Sequence, residues 1–203
     1  MNAATPTSFV PAVHASEAHV YEERAFGFWL YLMSDAIIFA LLFSTYSVML
    51  QGTAGGPDGK ALFDLSNAFV ETMLLLLSSI TFGYASLATG SHRKLAVLGW
   101  LLVTFALGAA FVALEIRELL GLVRLGASPQ RSGFLSAFFT LVGTHGLHVT
   151  FGLVWIVIMA SQVALKDLSA PVRSRLARLG LFWHFLDIVW IGIFSVVYLP
   201  GVL

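Results

Sequence analysis

A chain of 203 residues with 58% hydrophobic and only 11% charged side chains, and a mean hydropathy of +0.88, carries more apolar surface than a soluble domain of its size can bury, so its solvent is lipid. Its 11 basic and 11 acidic side chains cancel, which excludes the basic field of a nucleic-acid binder and the acidic run of a disordered effector. The absence of cysteine excludes disulfides, thiolate metal sites, c-type haem attachment and a cysteine nucleophile.

The sequence implies an all-α integral membrane protein of two parts, a polar cytoplasmic segment over residues 1–25 and a five-helix transmembrane domain over 26–203. Residues 1–25 read as polar and irregular, with Pro6, Pro11, His14, Glu17, His19, Glu22 and Glu23. They lack the basic start and apolar stretch of a secretory signal, so the first span is expected to act as the insertion signal. Apolar runs able to cross roughly 30 Å of hydrocarbon at about 1.5 Å per residue lie near 26–50, 67–90, 95–123, 132–163 and 176–200. Between them fall GTAGGPDGK (52–60), SHRK (91–94), GASPQRS (126–132) and KDLSAPVRSR (166–175), all rich in turn formers or charge. Five spans place Arg24, Arg93, Lys94, Lys166, Arg173, Arg175 and Arg178 on one side and Lys60, Arg117, Arg124 and Arg131 on the other. The excess of basic residues on the first side puts the N-terminus in the cytoplasm and the C-terminus in the periplasm.

Ionisable side chains inside a span are costly unless paired or wetted, so each is a candidate for function. In the first span Asp35, in YLMSDAIIF, is too short to reach the interface and must find a partner or hold a proton. It reads either as a proton-exchanging or lipid-contacting carboxyl, or as a structural one bonded to a histidine or backbone group. Glu71 comes about one turn into the second span, where its charge suits the positive end of the helix. Glu115, Arg117 and Glu118, in EIRE, stand where the third span meets the outer face and read as a wetted network or a lipid-headgroup contact. In the fourth span His145 and His148, in GTHGLHV, are three apart and can share one helix face. They suit a haem ligand or an interhelical hydrogen bond, and Gly143, Gly146 and Gly152 favour close helix approach. His184 and Asp187, in FWHFLD of the fifth span, also share a face and suit a proton relay or an interhelical contact. No phosphate-binding loop, HExxH motif or nucleophile elbow is present. These residues leave open a scaffold, a haem b anchor that pairs His145 or His148 with His184, and a small proton channel using Asp35 and Asp187.

FGFWLYLMSDAIIF (26–39), ETMLLLLSSITFGYA (71–85), RSGFLSAFFTLVGTHGLHVTFG (131–152) and FWHFLDIVWIGIFSVVYL (182–199) together resemble subunit III of the haem–copper respiratory oxidases. The five spans and the GTAGGPDGK loop resemble the cytochrome o type ubiquinol oxidase branch more than the seven-span cytochrome c oxidase branch, the alternative. The resemblance implies a V-shaped bundle that holds phospholipid and docks on the catalytic haem–copper subunit I, with subunit II and a small subunit IV as further partners. It implies no cofactor in this chain, the haems and copper being carried by the catalytic subunit, and a supporting role in stability and sustained proton uptake in a bacterial inner membrane. Asp35 matches the family's buried membrane carboxylate, a glutamate in the cytochrome c oxidase branch. His145, His148, His184 and Asp187 match structural motifs, which implies one interhelical polar network including His148 and Asp187.

Overall fold

The computed structural model describes residues 12–55 and 59–202. Among them every long element is a helix: α1 (Ala12–Met49), α3 (Leu65–Gly90), α4 (Lys94–Arg124), α5 (Gly133–Lys166) and α6 (Ala170–Ile193), with a short α2 (Gly59–Leu62) in the first loop. Lipid offers no hydrogen bonds to a backbone, so a spanning segment must satisfy its own, as an α-helix does. Five helical stretches are long and apolar enough to cross a membrane. Even the 26-residue α3 reaches roughly 39 Å, beyond the hydrocarbon layer.

Two boundaries differ from the sequence reading. Residues 12–25 are helical rather than irregular, because AVHASEAHVYEERA after Pro11 is dominated by good helix formers and can extend the first span by propensity alone. The fifth span begins at Ala170 rather than 176: Pro171 occupies the first turn, where its missing N–H costs nothing, and Ser169 precedes it with extended backbone. Asp64 caps α3 by accepting from the N–H groups of Ser66 (2.9 Å) and Asn67 (3.4 Å), and Ser132 caps α5 by accepting from Leu135 N–H (3.2 Å).

Beyond Ile193 the last helix winds as a π-helix over Phe194–Tyr198 and closes as α7 (Leu199–Val202). Pro200 has no N–H to donate four residues back, and Leu199 N–H reaches the carbonyl of Phe194 instead. The wider turn leaves Val197 and Tyr198 buried.

The loops pair by side. Lys94 Nζ lies 2.5 Å from Asp167, which joins the α3–α4 and α5–α6 turns. Phe134 N–H donates to Gly52 O (3.2 Å), which joins the α1–α3 and α4–α5 connections at the other end. Half of the last span's apolar window is buried against 17% of the first span's, so α6 is the central helix and α1 the outermost. The inward stripe of α1 is Leu32, Asp35, Phe39 and Tyr46, spaced by three, four and seven.

Helices in lipid associate through packing and hydrogen bonds rather than hydrophobic expulsion. The Trp183 indole lies between two glycines, since a Cβ built on Gly108 or Gly152 would come within 2.8 and 2.9 Å of its ring. Trp183 Nε1–H donates to Ser78 Oγ (3.1 Å) and Trp190 Nε1–H to Thr72 Oγ1 (3.0 Å), which pins antiparallel α6 along α3.

Candidate functional site: the buried polar side chains

The inward stripe of α1 sets Asp35, 4% exposed, against α5. His148 Nε2 stands 3.2 Å from Asp35 Oδ1, and His148 Nδ1 lies 2.7 Å from the carbonyl of Thr144. A carbonyl can only accept, so Nδ1 carries a hydrogen. Nε2 and the carboxyl then need one further proton between them, either on the imidazole or on Asp35. The Asp35–His148 pair is therefore a one-proton contact between α1 and α5. Tyr31, Leu147, His148 and Phe151 line a groove beside it, and Phe28, Tyr31, Phe151, Val154, Trp155 and Ile158 line an adjoining one.

His145 lies one turn away and is fully buried. Its Nε2–H donates to Leu186 O (3.2 Å), and its ring packs between Phe111 (5.7 Å) and Trp190 (5.2 Å). Ligation through Nε2 would require breaking the Leu186 contact. His184 faces outward, with Nδ1 2.6 Å from Ser79 Oγ, and Asp187 is buried on the neighbouring turn with Oδ1 unpartnered. His148 thus pairs with Asp35 and not with Asp187. The four expected network residues fall into separate contacts: α1–α5 through His148, α5–α6 through His145, and α3–α6 through His184, with Asp187 beside it.

The charged residues of EIRE and Glu71 are buried to different degrees. Arg117 is exposed, whereas Glu71 (0% exposed) and Glu115 (2%) are buried, and the carboxyl oxygens of Glu118 are enclosed with them. The spacing explains the split, because Glu115 and Glu118 share a helix face that Arg117 does not. The Glu115 carboxyl packs against the bare Cα of Gly146, where an added Cβ would lie 2.8 Å from its carboxyl carbon. Among the described residues no group of three or more His, Asp or Glu is arranged to hold a metal ion.

Sequence reasoning did not single out Thr72, Ser78, Ser79 or Tyr198. The signal was present in part, since hydroxyls at 72 and 78 on one span face indoles at 190 and 183 on another, about two turns apart on each and in opposite directions.

Residues 12–202 match the cytochrome c oxidase subunit III family, nearly the whole chain. The chain belongs to that family. Cytochrome bo(3) ubiquinol oxidase subunit 3 of Pseudomonas putida is 57% identical over 87% of this chain and 86% of its own length. The protein of the same description from Buchnera aphidicola subsp. Baizongia pistaciae is 45% identical over 91% and 95%. Cytochrome c oxidase subunit 3 of Bacillus sp. (strain PS3) is 42% identical over 89% and 87%. Within the subunit III family this chain is a multi-pass membrane protein and a component of a respiratory oxidase.

Proposed function

We propose that this chain is subunit III of a bo(3)-type, proton-pumping ubiquinol oxidase, and that it supports the catalytic subunit without a reaction centre of its own. The observation that carries the reading is the 57% identity to the Pseudomonas putida ubiquinol oxidase subunit, against 42% to a relative described as a cytochrome c oxidase subunit. The haems and copper belong to the catalytic subunit I, and subunit II and a small subunit IV complete the assembly in the bacterial inner membrane, with the N-terminus of this chain in the cytoplasm. Its exposed apolar faces, such as Trp29, Ile37 and Leu41 on α1, meet lipid or a partner subunit.

The grooves between α1 and α5 suit acyl chains, and the Asp35–His148 pair offers a polar contact beside them. Phospholipid held there would tie α1 to the bundle, whether or not the arms open into a V. Removing the chain from the complex tests the role. The expected result is an unchanged haem spectrum and an initial ubiquinol oxidase rate that decays during turnover. A normal, undiminished rate without the chain would remove the supporting role.

A further inference from the structure

Among the described residues, the ionisable side chains deep in the spans are turned inward or paired, with one exception. Asp35 and His145 are buried, Asp187 is 8% exposed, and His148 is paired with Asp35. His184 stands at the midpoint of the Ala170–Tyr198 span, roughly 21 Å from either end, and is exposed on the outer surface of α6. Ser79 Oγ, which also lies beside Asp187, holds its Nδ1 at 2.6 Å. The ring is thus fixed through one nitrogen, and Nε2 is left to a group outside the chain.

The surface around His184 has the relief of a helix-packing seam. On α6 the exposed residues Leu181, His184, Ile188 and Ile191 recur at three, four and three, the spacing with which one helix meets another at a shallow angle. Beside them α3 presents a low row: Ser79 touches His184, Phe82 backs on Gly180 of α6, and a Cβ added at Gly83 meets nothing within 4 Å. A neighbouring backbone can approach closely over such small residues. Hydrocarbon offers the imidazole no partner, and lipid headgroups lie about 15 Å from the bilayer midplane. An ionisable side chain at this depth stands against protein or enclosed water rather than acyl chains.

We infer that the α3–α6 face around His184 is the seat of a transmembrane helix from a larger subunit of the oxidase, which crosses at a shallow angle over Gly83 and supplies a hydrogen-bonding group to His184 Nε2. The inference rests on the reading of this chain as an oxidase subunit and adds which face docks. The grooves between α1 and α5 that suit acyl chains are a different surface. The identity of the electron donor does not bear on it.

Photocrosslinking in the intact complex reads the occupant directly. A photoreactive residue in place of Leu181 or Ile188 is expected to give a discrete adduct with a larger subunit, and one in place of Leu102 of α4, as exposed as Ile188 (69% against 68%), to give none. Gly83→Leu is expected to strip the chain from the complex, and Gly99→Leu, on α4 with equally open space, to leave it in place. His184→Leu is expected to raise the ratio of released to bound chain in a detergent challenge roughly three- to eighteen-fold, the range of an interhelical hydrogen bond in a membrane. His184→Gln should raise it less, because its amide keeps a polar group near the Nε2 position. Adducts at 181 and 188 with phospholipid alone or with a second copy of this chain, or adducts no stronger than at 102, would overturn the inference while the wild-type chain still co-purifies with larger subunits. A Gly83→Leu chain that stays in the complex would overturn it too. A wild-type chain that co-purifies with no larger subunit would remove the proposed function itself, and the inference with it.

Discussion

The Asp35–His148 contact is a polar tie between α1 and α5, and its strength can be bounded. A buried ion pair broken on one side costs about 3–5 kcal/mol, whereas interhelical hydrogen bonds in membranes average about 0.6 and reach about 1.7. Two observations place this pair in the lower range. Its 3.2 Å separation exceeds the roughly 2.7–2.9 Å of strong charge-assisted bonds, and the His148 side chain is 20% exposed. We therefore expect a coupling of about 1–1.5 kcal/mol, close to a tenfold change in the opening of α1. A chain without cysteine allows this opening to be read directly. A thiol introduced as Leu32→Cys, on the buried stripe of α1, reports opening through its rate of alkylation in the assembled complex. In that background Asp35→Leu and His148→Leu should each raise the rate about tenfold, and the double variant little further. Asp35→Asn should raise it less, since its amide can still donate to Nε2. A thiol at Val97 on α4, also buried, should stay unreactive throughout. Fully additive effects of the two leucine substitutions would show that the residues do not interact, and the argument for the pair would fail.

Gly108→Ala and Gly152→Ala force a methyl against the pinned Trp183 ring, so we expect a cost of about 1–3 kcal/mol from overpacking, offset by about 0.5–1 kcal/mol of gained helix propensity. Gly99→Ala, with nothing within 4 Å of the new Cβ, should be neutral or stabilising, and thermal unfolding of the complex checks all three. Lys94→Ala should cost less than about 1 kcal/mol and lose its effect at high salt, because Asp167 is largely exposed despite the 2.5 Å contact. His145→Ala should leave the haem content of the complex unchanged while lowering its thermal stability, read by spectrum and melting curve, because it removes the α5–α6 contact to Leu186.

The spans were legible because lipid imposes length and hydropathy on each one, and Ser132 and Lys94 fall where the turn residues imply. Residues 12–25 and 170–175 were misjudged because polar or charged residues in a helix resemble loop when hydropathy is the only guide. Asp35 stood out by its chemistry, but its partner did not: pairing across α1 and α5 depends on helix rotation, which the positions 35 and 148 do not encode separately. The burial of Glu115 and Tyr198 shows the same limit. The Glu115 carboxyl packs against the bare Cα of Gly146, and Tyr198 is buried on a π-turn next to Pro200. Each is a local feature whose consequence lies on another helix.

The central claim, that this chain is a scaffold for haem carried by other subunits, is tested most directly by purifying it through a C-terminal tag in mild detergent. The co-purifying polypeptides and the reduced-minus-oxidised visible spectrum are recorded before and after the chain is stripped from its partners. The account predicts that larger subunits co-purify and retain all the haem absorbance, leaving the isolated chain colourless. Haem that stays with the isolated chain and disappears in His145→Ala or His148→Ala would contradict it.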